Sequence, residues 1–240
     1  MKCCDEGTTS LDGAAPVPSQ HQKQCAMDEQ QKVTERKDYD KASLREEAAG
    51  HDPMRLFSTW LEEARAADLP DHNAMMLSTA GSVSISCRVV LLRSFDADGF
   101  IFHTNYNSRK AMDIERDPRV ALTFFWPTLE RQVRIEGRAE HATTEESDAY
   151  FETRPRESRI AAWSSDQSRV VEGRAAMKER YERWAERFAD EAVPRPEHWG
   201  GIRTRPVRIE FWQGGAHRMH DRLAFEKFND GSWQRMRLQP

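Results

Sequence analysis

The stretch Glu210-Phe211-Trp212-Gln213-Gly214-Gly215-Ala216-His217-Arg218-Met219-His220-Asp221-Arg222 sets the reading of the whole chain. An aromatic strand runs into a Gly-Gly turn, and the returning segment carries His217, Arg218, His220 and Arg222 within six residues. If that segment is extended, residues two apart share a face, so Arg218, His220 and Arg222 project together and suit an anionic ligand. A solvated hairpin edge would carry the same charges, because charged side chains commonly protect strand edges. The rest of the chain has to separate the two.

The chain has 240 residues, enough for one large domain with a substantial core. Hydrophobic residues make up 38% and charged residues 32%, a polar balance that a disordered tail explains. A net charge of -4 argues against nonspecific nucleic-acid binding, which needs a strongly basic surface. Cys3, Cys4 and Cys25 fall in the polar N-terminal stretch and Cys87 stands apart, so the cysteines form no disulfide framework. No His or further Cys stands at ligand spacing, so no metal is expected. No apolar run reaches the length of a membrane span or signal-peptide core, and the default location is a reducing cytoplasm.

Residues 1–49 are rich in Gln, Glu, Lys, Ser and Asp and poor in large apolar residues, which reads as a flexible tail. A single domain then spans residues 50–240. It opens at Asp52-Pro53, an N-cap acid followed by proline at the first helical position. Leu56, Phe57, Trp60, Leu61 and Ala64 follow at helical spacing. Strands are predicted over 74–80, 84–93, 100–104, 120–126 and 131–139, joined by hairpin-sized turns. Five strands so spaced point to a small antiparallel barrel. Ser108 opens a short helix over 109–116. Thr143-x-x-Glu146 is a capping-box pattern opening a helix through Phe151, and a second helix runs over 172–188. Strands over 207–212, 218–228 and 233–238 complete a fold that is mainly β with flanking helices.

The cations cluster. Arg88 and Arg93 bracket the apolar strand Val89-Val90-Leu91-Leu92, and Arg109-Lys110 stand at a helix start, where free amides and guanidinium groups together can hold a phosphate. Each alone would normally be a solvated surface charge. Tyr150, Arg154 and Ser158 are spaced four and four, but Pro155 disfavours helical geometry at Arg154, so a turn is expected there.

Taken together, these stretches resemble the pyridoxamine 5'-phosphate oxidases. The C-terminal signature is Glu210-Phe211-Trp212-Gln213-Gly214 with Arg218-Met219-His220-Asp221-Arg222, and the chain ends Arg237-Leu238-Gln239-Pro240. The strand Arg88 to Arg93, the segment Thr104-Asn105 with Ser108-Arg109-Lys110, and Tyr150-Phe151-x-x-Arg154-Pro155-Arg156-x-Ser158 match family motifs in family order. The resemblance covers roughly residues 53–240. It implies an antiparallel split β-barrel that binds flavin mononucleotide (FMN) across a homodimer interface. It also implies oxidation of pyridoxamine or pyridoxine 5'-phosphate to pyridoxal 5'-phosphate, with O2 as acceptor and hydrogen peroxide as product. A split-barrel protein without turnover, acting as a flavin or vitamin carrier, is the alternative.

By the same resemblance, FMN contacts fall on Arg88, Val89, Val90, Leu91, Leu92, Arg93, His103, Thr104, Arg109, Lys110, Gln132, Gln167, Ser168, Trp212 and Arg222. Substrate contacts fall on Arg93, Tyr150, Arg154, Ser158, Arg218 and His220, the last two beside the reacting carbon. Arg36 and Tyr39 match an Arg-x-x-Tyr pair that can fold over the substrate. Two departures stand out. Arg93 replaces the family's lysine with a bulkier, forked cation, which bears on substrate affinity. Gly81-Ser82-Val83-Ser84 stands where the family has Gly-x-Pro, implying only a slightly different hairpin.

Overall fold

The computed structural model describes residues 38–240. Nine strands form one antiparallel sheet: β1 (Ala74–Ala80), β2 (Ile85–Leu91), β3 (Ser94–Asp96), β4 (Gly99–Asn105), β5 (Arg119–Trp126), β6 (Arg131–His141), β7 (Trp199–Gln213), β8 (Asp221–Lys227) and β9 (Trp233–Arg237). The main path runs β2-β1-β5-β6-β7-β4-β3, and β8 pairs with both β7 and β9. Six helices flank it: α1 (Glu46–Ala49), α2 (Pro53–Ala66), α3 (Arg109–Arg116), α4 (Thr144–Glu152), α5 (Arg156–Ser164) and α6 (Arg174–Arg187).

β7 organises this arrangement. One edge pairs with β6 from Ile202 to Gln213, while the other is shared, Trp199–Thr204 bonding to β4 and Arg208–Gln213 to β8. The sheet forks where β4 gives way to β8. There Pro206 lacks a ladder donor and the β6 register shifts between Glu136 and Gly137, a bulge that bends both strands. Gly137 sits against the Arg205 carbonyl, where a Cβ would collide with backbone, so only glycine fits the bulge.

The core lies between the sheet and α2, whose apolar stripe delivers Leu56, Phe57, Trp60 and Ala64. Phe57 meets Phe95, Phe100 and Phe124 with ring centroids about 5 Å apart, and Trp60 packs edge-on to Phe211. Asp52 caps α2 by accepting from the Met54 and Arg55 amides, with Pro53 at the first position, as the sequence predicts. The capping box is also present, Thr143 Oγ1 accepting from Glu146 N and Glu146 Oε2 from Thr143 N. A smaller cluster of Ile160, Phe188 and Val193 with Trp163, Tyr181 and Trp184 joins α5 to α6.

Three expectations are corrected. The returning strand after Gly214-Gly215 begins at Asp221, because Ala216–Arg218 form a single 3-10 turn with His217 and Arg218 at φ 54° and 65°. Arg218, His220 and Arg222 therefore do not share one strand face. Ser158 lies in the first turn of α5, which starts directly after the break at Arg154-Pro155. The tail boundary at 49 falls too late: residues 38–49 belong to the same compact unit as the barrel, with Leu44 and Ala49 buried in its core. Composition misses this because two small apolar anchors suffice to seat a segment that is otherwise polar. Arg36 lies outside the described residues.

Leu44→Ala should destabilise the protein by about 2–5 kcal/mol, the cost of emptying a buried leucine site, read from the denaturant midpoint. An unchanged midpoint would return this segment to a dispensable tail.

Candidate active site

A cavity of about 780 Å³ opens between the end of β2, the end of β4, the start of α3 and the α4–α5 corner. Val89, Val90, Leu91, Arg93, His103, Thr104, Lys110, Tyr150, Arg154, Ser158 and Gln167 all line it. These are sequence-selected residues from five segments. Leu92 is an exception on that strand: it is buried in the hydrophobic core, and its amide donates to Asn73 O at 2.9 Å.

At one side of the cavity stands a cation cluster. Lys110 Nζ donates to Gln167 Oε1 at 2.9 Å, Thr104 Oγ1 at 3.1 Å and Ser108 Oγ at 3.3 Å, all neutral acceptors. Burial first, and the nearby Arg88 second, push its pKa down to about 8. Arg88 and Arg109 do not line the cavity: they share one carboxylate, Asp113, at 3.9 and 4.0 Å, Arg88 partly buried and Arg109 exposed. Two arginines against one buried acid, with Lys110 close enough to feel Arg88, leave a net positive field. Ser168 joins this side through its hydroxyl, which accepts the Arg109 backbone amide at 3.2 Å. Sequence reading passed over Asp113, although its spacing of four from Arg109 along α3 is a legible signal.

At the other side Arg154 lies over the Trp199 ring at 4.4 Å and Arg93 over the Tyr150 ring at 5.6 Å. Neither forms an ion pair among the described residues, and burial holds the Arg154 pKa below its usual value. Arg154 donates to the Ser158 carbonyl at 2.8 Å, which ties the turn to α5. His103 stacks on Tyr150 at 3.9 Å and on Trp199 at 5.3 Å. Both of its ring nitrogens are buried without a hydrogen-bond partner. Burial, then the positive charges of Arg93 and Arg154, lower its pKa to about 4, so the ring is neutral at physiological pH.

The remaining expected residues assemble elsewhere. Gln132, Trp212 and Arg222 occupy one register row across β6, β7 and β8. Arg222 Nε donates to the buried Glu210 at 2.9 Å. His220 packs 4.8 Å from Trp212, and its Nδ1 accepts the Gly215 amide at 3.1 Å. Tyr39 contributes an edge to both rings, 5.6 Å from each. Arg218 is exposed beside them. None of these lines the cavity. Trp199, in the cavity wall, and Trp212, in this second group, are separated along β7 by roughly 40 Å of extended chain. Within one copy of the chain the two groups stand at opposite ends of β7.

The cavity fits the FMN that the resemblance implies. A partly buried ammonium with only neutral acceptors among the described residues, beside two arginines that share one acid, suits a phosphate, and both ring nitrogens of His103 are buried polar atoms open to a polar partner. Among the described residues no helix is long and apolar enough to cross a membrane, and no His/Cys/Asp/Glu group could hold a metal ion.

Comparison with known proteins agrees with this geometry. Residues 61–188 match the family model described as pyridoxamine 5'-phosphate oxidase, and residues 199–240 match that of the pyridoxine 5'-phosphate oxidase C-terminal dimerisation region. The chain is 52% identical over 206 residues to the pyridoxine/pyridoxamine 5'-phosphate oxidase of Rubrobacter xylanophilus, covering 85% of this chain and 94% of that one. The enzyme of the same name from Cupriavidus metallidurans is 48% identical, with 85% and 97% covered. PhzG from Burkholderia lata 383, solved with tetrahydrophenazine-1-carboxylic acid, superposes with a TM-score of 0.76 at 29% identity, covering 81% and 95%. A pyridoxamine 5'-phosphate oxidase-related, FMN binding protein from Nostoc punctiforme shares the fold at a TM-score of 0.63 and 14% identity, covering 79% and 98%.

The histidine supplies a pH test in the ligand-free protein. Unfolded, its imidazole takes a proton near 6.5; folded, it resists until about 4, so stability falls as pH drops through that window. NMR titration should place the His103 midpoint near 4, and His103→Gln should remove its share of the acid destabilisation. A midpoint at the ordinary histidine value would contradict a buried, cation-flanked ring.

Proposed function

The chain belongs to the pyridoxamine 5'-phosphate oxidase family, which makes it an FMN-dependent oxidase, and we propose that it converts pyridoxamine or pyridoxine 5'-phosphate to pyridoxal 5'-phosphate with O2 as electron acceptor. The observation that carries this reading is one aromatic-walled cavity lined by three cations without a counter-charge among the described residues, Lys110, Arg93 and Arg154, since the reaction brings together two phosphate-bearing molecules. Lys110, Arg88 and Arg109 hold the FMN phosphate, with the Val89–Leu91 segment beside the flavin. Arg93, Tyr150, Arg154 and Ser158 hold the substrate phosphate.

The protein works as a homodimer, in keeping with the dimerisation region at residues 199–240. The partner copy presents its Gln132, Trp212 and Arg222 to the flavin and its Arg218 and His220 to the substrate. Nδ1 of His220 accepts a backbone amide, so the neutral ring carries its hydrogen on Nε2, ready to donate to a substrate oxygen. Arg218 brings a mobile positive charge to the reacting end, where it orients the ring and stabilises charge that develops there. FMN held there would supply a two-electron acceptor for the hydride of the 4' carbon, and O2 with two protons would take those electrons up as hydrogen peroxide. The free, exposed thiol of Cys87 suits a reducing, cytoplasmic location.

Arg88→Ala should weaken FMN binding by about 1.5–3 kcal/mol, the scale of one hydrogen bond to a charged group, measured by flavin fluorescence titration. Parental affinity would remove Arg88 from the phosphate site.

The reaction itself is tested without oxygen. Mixing the yellow protein with pyridoxamine 5'-phosphate in a stopped-flow instrument should bleach the flavin, whereas a carrier without turnover would bind and stay yellow. In Arg218→Ala, flavin content should stay normal and the bleaching rate at saturating substrate should fall by roughly a hundredfold, as for a group acting mainly in the transition state. Bleaching at the parental rate would leave Arg218 as a binding residue.

A further inference from the structure

The geometry points to Glu130 as a positioning residue for the substrate end of the site: it docks the chain at Asp40 and Lys41 so that the Tyr39 ring lies against His220 and Trp212. The inference rests on the reading of Tyr39 and His220 as substrate contacts.

Glu130 sits in the short loop between β5 and β6, only 1% exposed, with φ at 57°. Left-handed backbone is uncommon for a residue with a side chain and persists where the surroundings over-determine it. Loop geometry alone would favour glycine or asparagine here. What glutamate adds is reach. Its Oε2 accepts the backbone amides of Asp40 at 3.1 Å and Lys41 at 3.3 Å. Lys41 returns the contact, its Nζ donating to Thr128 O of the same loop at 2.8 Å.

The backbone of the same residue faces the opposite way. Its carbonyl accepts the Gly214 amide at 2.8 Å and Gln213 Nε2 at 3.2 Å. One residue thus joins the segment carrying Tyr39 to the turn carrying His220. The fit between those segments is close: a Cβ on Gly214 would stand 2.7 Å from the Tyr39 Cβ. Each side of Glu130 therefore fixes one wall of the same aromatic corner, Tyr39 through the carboxylate and the Gly214-Gly215 turn through the carbonyl.

The test uses the full-length, FMN-loaded enzyme with Glu130→Asn, Glu130→Gln and Tyr39→Ala. Asparagine tolerates the left-handed backbone but withdraws the acceptor by one methylene, so the loop keeps its fold; glutamine keeps the reach and loses the charge. Amide hydrogen exchange is read at Asp40, Lys41 and Gly214, beside kcat and KM for pyridoxamine 5'-phosphate. Glu130→Asn should speed exchange at Asp40 and Lys41 and raise KM by about tenfold or more, the scale of one hydrogen bond to a charged group. Gly214 should stay protected, FMN content should stay parental, and Glu130→Gln should recover part of both losses. Parental exchange at Asp40 and Lys41 in Glu130→Asn would overturn the docking role. Faster exchange with unchanged KM, while Tyr39→Ala raises KM, would overturn the link from docking to substrate. If Tyr39→Ala itself leaves KM unchanged, the reading of Tyr39 as a substrate contact falls and the proposal falls with it, whatever the exchange shows at Glu130.

Discussion

A strand of fifteen residues buried in the middle of a sheet has to satisfy its backbone donors and acceptors on both edges, and β7 does so with three partners. β6 takes one edge almost entirely, while β4 and β8 divide the other at the bulge opposite Gly137 and Pro206. The split in the barrel follows from that division. So does the distribution of chemistry, since Trp199 at one end of β7 walls the cavity and Trp212 at the other end joins the C-terminal group. The length of the strand separates the two halves of the site, and a second copy of the chain is the natural way to reunite them.

Charge pairing distinguishes the cations that build the fold from those that meet a ligand. Arg203 is buried between Asp96 and Glu146 and ties the β3–β4 hairpin to α4. Arg237 clamps Glu46 and Asp221, binding the N-terminal segment to the last strands. In the cavity the pattern reverses. Arg88 and Arg109 share one acid outside the lining, while Lys110 has three neutral acceptors and Arg93 and Arg154 lie over aromatic rings. Lys110 and Arg154 are partly buried without a counter-charge among the described residues, which is costly, and a bound anion would relieve that cost.

The second group is held by buried carboxylates. Glu210, 4% exposed, accepts from Arg222 and from Arg134, fixing a guanidinium that would otherwise sweep through solvent. Glu130 joins the Tyr39 segment to the Gly214 turn in the same neighbourhood. Both lie one step behind the residues proposed to face a ligand, and both limit the freedom of long side chains or loops whose ordering would otherwise oppose binding.

The sequence by itself determined the elements and most of the cavity. Helical spacing in α2, the caps at Asp52 and Thr143, the period-two strands and the cation clusters are local patterns, each written in a dozen neighbouring residues. Motif order supplied the family. What only the tertiary structure decided depends on contacts between distant segments. The anchoring of residues 38–49 hangs on Leu44, Asp221 and Arg237, up to about two hundred positions apart, which no local composition reveals. The 3-10 turn at Ala216–Arg218 displaced the expected strand face because left-handed backbone at His217 and Arg218 breaks the alternation that period-two reading assumes. The resemblance implied a site shared by two copies, but which of the expected residues fall into each group was not legible in the sequence, because a motif does not say which end of a long strand presents its residues.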